Sequence, residues 1–255
     1  MPRRRNTRRR RRRGSLGPLL RVLSVLLAAV AIVAALTLFF KVSQVVVTGN
    51  SRYTARQVEA VSGVTAGENL ILLDKYQIAE QVYTQLPYIT EVRISRRLPD
   101  TLLIEVTETT AVAAVEGGGS WWLVSAGGKL LESCDSTAAQ DYLVLRGLEA
   151  LTPAVSQPLR LGEGNLSGER LLELLGELEK RGMLPRAGAL DAGDGEKLTM
   201  EYDGRFQVEL PYDGDFAFKL DCLLATVSRL EPNESGIIRM TMKDDNEVRF
   251  IPYSS

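Results

Sequence analysis

VSQVVVTGN (Val42–Asn50) opens the stretch whose reading decides the fold, and that stretch runs on to Glu108. Val45 and Val47 share one face of a β-branched run, and Gly49-Asn50 stops it, so a strand is expected. Thr54-Ala-Arg-Gln57 has capping-box spacing, in which a hydroxyl and an amide satisfy the first backbone N–H groups of a helix. Asp74-Lys-Tyr-Gln77 repeats that spacing ahead of Ile78, Val82 and Leu86, which fall on one helical face. Val92 and Ile94 then alternate with Glu91, Arg93 and Ser95. Pro99-Asp100 turns the chain, and Leu102, Ile104 and Val106 alternate with Leu103, Glu105 and Thr107. The predicted order is β-α-α-β-β, one small domain over 41–110.

Immediately upstream, Val22 to Phe40 is 19 residues without a charge. As a helix it would be about 28 Å long at about 1.5 Å per residue, close to the roughly 30 Å of a bilayer's hydrocarbon core. Residues 22–40 are therefore read as one transmembrane helix. Residues 1–21 form an arginine-rich tail, with Arg3–Arg5 and Arg8–Arg13 and nothing apolar to bury, so disorder is expected. Such a tail suits either a nucleic-acid arm or a charge cluster that sets membrane orientation, and the adjoining span selects the second. The positive-inside rule then places the tail in the cytoplasm and everything after Lys41 outside. A cleaved signal peptide is the competing reading, but Thr37-Leu-Phe-Phe-Lys41 lacks a small-x-small site, so an uncleaved anchor is expected.

The net charge of −1 conceals an asymmetry. Ten of the 31 basic residues and none of the 32 acidic ones precede Lys41, which leaves 21 against 32, or −11, for the remainder. Phosphate recognition draws on Lys and Arg, so nucleic-acid binding by the folded part is not expected. Cys134 and Cys222 are the two cysteines, one in a strand region and one in a helix, and they read as two buried free thiols rather than a bridge.

Downstream, residues 111–253 read as a mixed, β-rich domain with two helices. Glu116-Gly-Gly-Gly-Ser120 is a hairpin loop between Ala113–Val115 and Trp121–Val124, and Gly127-Gly128 turns the chain before Lys129-Leu130-Leu131. A glycine triplet cradles phosphate when a helix and a Lys-Ser/Thr pair come after it, whereas a tryptophan pair stands here. Tyr142–Leu148 reads as another strand. Ser167 can cap a helix whose Leu171, Leu174, Leu175 and Leu178 form an apolar stripe ended by Gly182 and Pro185. Leu198–Tyr202 and Phe206–Leu210 alternate around Asp203-Gly204, a strong hairpin signal. Asp213 precedes a second helix carrying Phe216, Leu220, Leu223, Leu224, Val227 and Leu230. Ile237–Met242 and Val248–Ile251 are the closing strands around Asp244-Asp245-Asn246.

Val42-x-x-Val45-x-Val47-x-Gly49-Asn50, Gly67-Glu-Asn69-Leu70, Leu86-Pro87-Tyr88-Ile89 and Arg96-x-x-Pro99-Asp100-Thr101-Leu102-x-Ile104-x-Val106-x-Glu108 together resemble the FtsQ/DivIB family of bacterial cell-division proteins. The resemblance implies an α+β protein with a single transmembrane helix, a POTRA domain and a β domain of the FtsQ/DivIB type. It departs from the family at Glu108-Thr-Thr-Ala-Val-Ala113, where a basic residue and a proline usually stand, and at Ser125, where the family has aspartate. The family recruits bitopic proteins, FtsL-like and DivIC/FtsB-like, at the division septum, and so acts indirectly on septal peptidoglycan synthesis. Its partner-binding edge is a late strand that matches Ile237 to Lys243, which makes Ile238, Arg239, Met240, Thr241 and Met242 the candidate docking residues. Arg239 and Thr241 would face one way and Ile238, Met240 and Met242 the other. An ordinary internal strand is the alternative at this position.

Catalytic and metal chemistry find little support in the residues. With no histidine, Ser-His-Asp triads, Cys-His pairs and His-bearing zinc sites are excluded. The carboxylates Asp191, Asp194 and Glu196, and Asp244, Asp245 and Glu247, lack a calcium-loop pattern and read as solvated turns. No catalytic residue, cofactor or metal is assigned. The reading is a non-enzymatic division scaffold. A cell-wall enzyme outside the membrane is an alternative suggested by location alone. A POTRA-type polypeptide-transport module is another, though it would bring tandem copies or a barrel.

Overall fold

The computed structural model describes residues 16–162, 164, 166–240 and 248–253. The expected disordered tail upstream of Leu16 and the turn at Asp244-Asp245-Asn246 lie outside them. The chain opens with α1 (Leu16–Phe39), whose window Leu20–Thr37 has a mean hydropathy of 2.4 and no residue buried. The helix starts earlier than the charge-free run and takes in Arg21.

Next come β1 (Gln44–Thr48), α2 (Ala55–Ser62), α3 (Lys75–Gln85), β2 (Ile89–Arg97) and β3 (Thr101–Glu108), in the predicted β-α-α-β-β order. Their sheet runs β1-β3-β2. Both helix starts form as their spacing dictates. Thr54 N–H donates to Gln57 Oε1 at 2.8 Å while Gln57 N–H donates to Thr54 Oγ1 at 3.3 Å, and Asp74 accepts from the N–H groups of Tyr76 and Gln77. Val58, Ile78 and Val82 are buried.

Two compact units emerge from the contacts. One gathers α1 with residues 40–46, 65–73 and 96–103; the other holds residues 47–64, 74–95 and those from 104 on. In the first, the chain leaving α1 is fixed by backbone bonds: Leu70 N–H to the Phe40 carbonyl at 2.8 Å, Val42 N–H to Glu68 at 2.8 Å, and Ser43 N–H to Asp100 at 2.9 Å. In the second, Gly49 adopts φ +82°, and a Cβ there would stand 2.1 Å from the Val106 carbonyl oxygen.

The second unit also contains the nine-stranded sheet. Its strands are β4 (Ala111–Gly117), β5 (Ser120–Ser125), β6 (Leu130–Cys134), β7 (Leu143–Glu149), β8 (Ala187–Asp191), β9 (Leu198–Tyr202), β10 (Phe206–Leu210), β11 (Gly236–Arg239) and β12 (Arg249–Pro252). They are ordered β12-β11-β10-β9-β8-β7-β4-β5-β6. The β4–β7, β7–β8 and β10–β11 pairings are parallel, so each needs a crossover connection. One connection carries α4 (Ser136–Ala139), one carries α5 (Gly168–Lys180), and one carries α6 (Phe216–Val227).

The four leucines of the α5 stripe are all buried, and Ser167 caps the helix by accepting from Arg170 N–H. On α6, Phe216, Leu220 and Leu223 are buried, and the cap is Asp215 rather than the neighbouring Asp213. These side chains pack with Val115, Leu145, Leu190, Met200, Val208 and Ile238 from one face of the sheet. At about 1.5–3 kcal/mol for each large apolar side chain taken from water, this layer dominates the stability of the unit. Cys134 and Cys222 are free thiols, partly exposed rather than buried.

At Gly49, replacement by alanine adds a left-handed strain to a backbone clash. G49A is expected to cost about 2 kcal/mol or more in urea unfolding of the chain in detergent, whereas G67A, with open space around its Cβ, should cost less.

Candidate docking site

Strand alternation sends Phe206, Val208 and Leu210 of β10 to the helix-covered core and Gln207 and Glu209 to the other face. Glu209 is nonetheless buried, at 3% exposure. Lys197 Nζ reaches its Oε1 at 2.7 Å and Arg239 Nε its Oε2 at 2.5 Å. Burial pushes this carboxyl up, but the hydrogen bonds from Arg239 and Lys197 hold it below its ordinary value of 4.5. Arg239 stands opposite Glu209 in the parallel β10–β11 register, and Met240 N–H donates to the Glu209 carbonyl at 2.9 Å. The ion pair and the backbone bond thus seat β11 on β10 together.

Ile238 and Met240 are fully buried toward the core, so they share a face as expected. Arg239 lies on the opposite face, committed to Glu209. Thr241 and Met242 lie outside the described residues. Over Gly236–Arg239, β11 is bonded to β10 on one side and β12 on the other. It is an internal strand there, and among the described residues the open edge on this side belongs to β12.

The β11–β12 register pairs Gly236 with Pro252, Ile237 with Ile251, Ile238 with Phe250 and Arg239 with Arg249. Tyr253 N–H donates to the Ser235 carbonyl at 3.0 Å. Antiparallel pairs alternate between bonded and non-bonded, so 253, 251 and 249 bond inward. Phe250 therefore turns both its N–H and its carbonyl outward, and Pro252 turns out a carbonyl alone. Phe250 is anchored edge-on to Phe206 with ring centroids 6.2 Å apart. Gly236 permits the close approach, since a Cβ there would lie 2.2 Å from the Ile251 carbonyl oxygen. Beside this edge a cleft of about 420 Å³ is lined by Gln207, Tyr253, Arg205, Arg146 and Glu201.

A second constellation sits at the β6 end. Lys129 is buried and donates to the carbonyls of Tyr83 at 2.8 Å and Ile89 at 2.7 Å, with its ammonium 3.5 Å from the Tyr83 ring centre. Burial lowers its pKa to about 8. Nearby, the Tyr88 hydroxyl bonds to Glu132, and Arg52 stacks 3.7 Å above the Tyr88 ring. Glu108 accepts from the N–H groups of Ser51, Arg52 and Tyr53 at 2.9, 2.7 and 3.1 Å. Burial pushes the Glu108 carboxyl up, and those backbone bonds outweigh it to hold it low. These contacts join residues 47–64 and 74–95 to the large sheet. Among them Tyr88, Ile89 and Glu108 stood out in the sequence, as motif residues.

Asp191 and Asp194 act as turn formers, accepting from Gly193 and Glu196 N–H at 2.8 and 3.0 Å. Among the described residues no three His, Cys, Asp or Glu side chains come together as a metal ion needs. Asp244, Asp245 and Glu247 lie outside those residues.

If Glu209 holds this corner, replacing both Lys197 and Arg239 by methionine leaves a buried carboxylate unpaired, at an expected cost of about 3–5 kcal/mol. Adding E209Q should recover part of that loss. Because the folded-state pKa is depressed, the stability Glu209 supplies is present above 4.5 and lost as pH falls through the lower folded value. E209Q should therefore flatten the acid limb of a pH series of unfolding midpoints.

The family described as "POTRA domain, FtsQ-type" matches residues 40–109. The cell division protein FtsQ of Corynebacterium glutamicum is 37% identical over 34% of this chain and 39% of its own length. The cell division protein DivIB of Geobacillus kaustophilus is 28% identical over 84% of this chain and 76% of its own. The extracytoplasmic domain of DivIB from Geobacillus stearothermophilus aligns with 50% of the chain and 98% of that domain, at 18% identity and a TM-score of 0.31, too low to bear on the fold. The chain thus carries an FtsQ-type POTRA domain over residues 40–109, and it is similar to cell-division proteins of the FtsQ and DivIB type.

Proposed function

We propose that the chain is a non-catalytic scaffold of the division machinery that docks other membrane-anchored division proteins by backbone pairing along β12. The observation that carries this reading is the outward-facing edge of β12, which pairs with β11 alone among the described residues. An exposed edge is a template for strand addition: backbone bonds supply affinity, and alternate side chains supply selectivity. Arg249 and Ile251 lie on the helix-free face and Phe250 on the core face, so a docked strand would meet a basic and an apolar residue on one side. Similarity to the FtsQ and DivIB proteins supports FtsL-like and DivIC/FtsB-like bitopic proteins as the guests, with the septal peptidoglycan synthase affected through them. The anchor α1, with arginines at its N-terminal end, supports a cytoplasmic N-terminus and an extracytoplasmic docking face at the septum. The docking positions shift accordingly from Ile238–Met242 to the neighbouring strand.

Depletion of the protein should give filamentous cells. A photo-crosslinker at Arg249 should capture a small single-span membrane protein, and F250P, which removes the outward N–H, should abolish capture while F250L preserves it. Normal septation after depletion, or capture indifferent to F250P in a folded chain, would overturn the reading.

A further inference from the structure

The loop Asn69–Leu73 is strapped to the end of α1. Asn69 Nδ2 donates to the Leu36 carbonyl at 3.3 Å, and Leu70 N–H donates to the Phe40 carbonyl at 2.8 Å. Leu36 lies inside the apolar window Leu20–Thr37, so the Asn69 side chain touches backbone at the depth where the span ends. Its bond also serves one of the last four carbonyls of the helix, which have no partner within it.

The side chains just beyond Asn69 are out of place for a solvated loop. Ile71 is 41% exposed and Leu72 77%, alongside Phe39 at 76% in the last turn of α1. Leu98, at 63%, belongs to the same compact unit. Its turn is tied to the exiting chain by Ser43 N–H on the Asp100 carbonyl, and to the loop by Arg96 Nη2 on the Leu73 carbonyl at 2.6 Å. The loop's backbone is prepared for a poorly hydrated setting. Ile71 and Leu72 N–H both donate to Asn69 Oδ1, at 2.9 and 3.2 Å, and Leu70 N–H is taken by Phe40. Satisfied N–H groups are what a segment needs before its side chains can leave water. The exposed Lys41 and Arg97 flank the patch, with stems long enough to keep a charge among lipid phosphates.

We propose that Ile71, Leu72 and Leu98 insert into the leaflet at the C-terminal end of α1, so that the POTRA domain is seated on the lipid surface at its own base rather than swinging freely from a tether. The inference rests on the reading of Leu20–Thr37 as a membrane span. The occupant is lipid because the patch continues directly from the lipid-facing surface of the span. Scattered single apolar residues on a surface would need no such account, but Ile71 and Leu72 lie on a loop bonded to the end of α1, and Leu98 on a turn bonded to that loop and to the chain leaving the helix.

The test uses the full chain, with Cys134 and Cys222 replaced by serine, in phosphatidylglycerol–phosphatidylethanolamine nanodiscs. A bimane label is placed at L72C, at V30C within the span, or at E59C on α2. Doxyl-labelled lipid should quench most of the emission at Val30 and at Leu72, with a blue shift at Leu72 relative to the chain unfolded in denaturant, and should leave Glu59 bright. Quenching at Val30 without quenching at Leu72 overturns the proposal while the span stands, and shows a patch that waits for protein. No quenching at Val30 removes the span and the proposal together. As a second readout, the I71D/L72D pair should cancel quenching at a label on Leu98 while leaving the unfolding midpoint unchanged; persistent quenching there counts against insertion.

Discussion

A carboxylate brought to 3% exposure is tolerable when cations meet it, and the corner of the large sheet is built on that condition at Glu209. Lys197 arrives from the residue just ahead of β9 and Arg239 from β11, so one side chain ties three separate chain segments. Parallel pairing of β10 with β11 otherwise rests on few backbone bonds between short strands. Once β11 is seated, Gly236 lets β12 close against it, and the outward face of Phe250 becomes available. The edge that β12 leaves unpaired among the described residues is thus a remote product of a buried charge on a different strand.

Much of the architecture was legible because its signals are local. Thr54 with Gln57, Asp74 and Ser167 announce helix starts through bonds spanning three residues, and each forms. The leucines of α5 and the alternation flanking Asp203-Gly204 likewise need no knowledge of distant partners. β8 was not legible: Ala-Gly-Ala-Leu-Asp has no β-branched residue, and it becomes a strand by lying between β7 and β9. The burial of Lys129 and Glu209 was hidden for the same reason, since their partners are 46 and 40 residues away in one case and 12 and 30 in the other. Which strand ends the sheet is also a nonlocal fact. The sequence placed a late strand correctly after the last helix, and pairing moved the free edge one strand further.

Two kinds of adhesion serve different ends of this molecule. At the β6 end, Lys129 and Glu108 use charge-to-backbone bonds, which are strong when water is excluded and fix an orientation. At the β12 end the exposed groups are neutral amides, suited to reversible pairing. The charged bonds thus lie where segments of the chain meet one another, and the neutral amides lie along the unpaired edge.

Pro252 carries one more consequence. Two copies of the chain laid edge to edge would each present a ring nitrogen where the other offers an oxygen, so a self-made ribbon has a missing rung. A symmetric pair of copies loses that rung twice, once at each proline, so self-pairing along this edge is weakened.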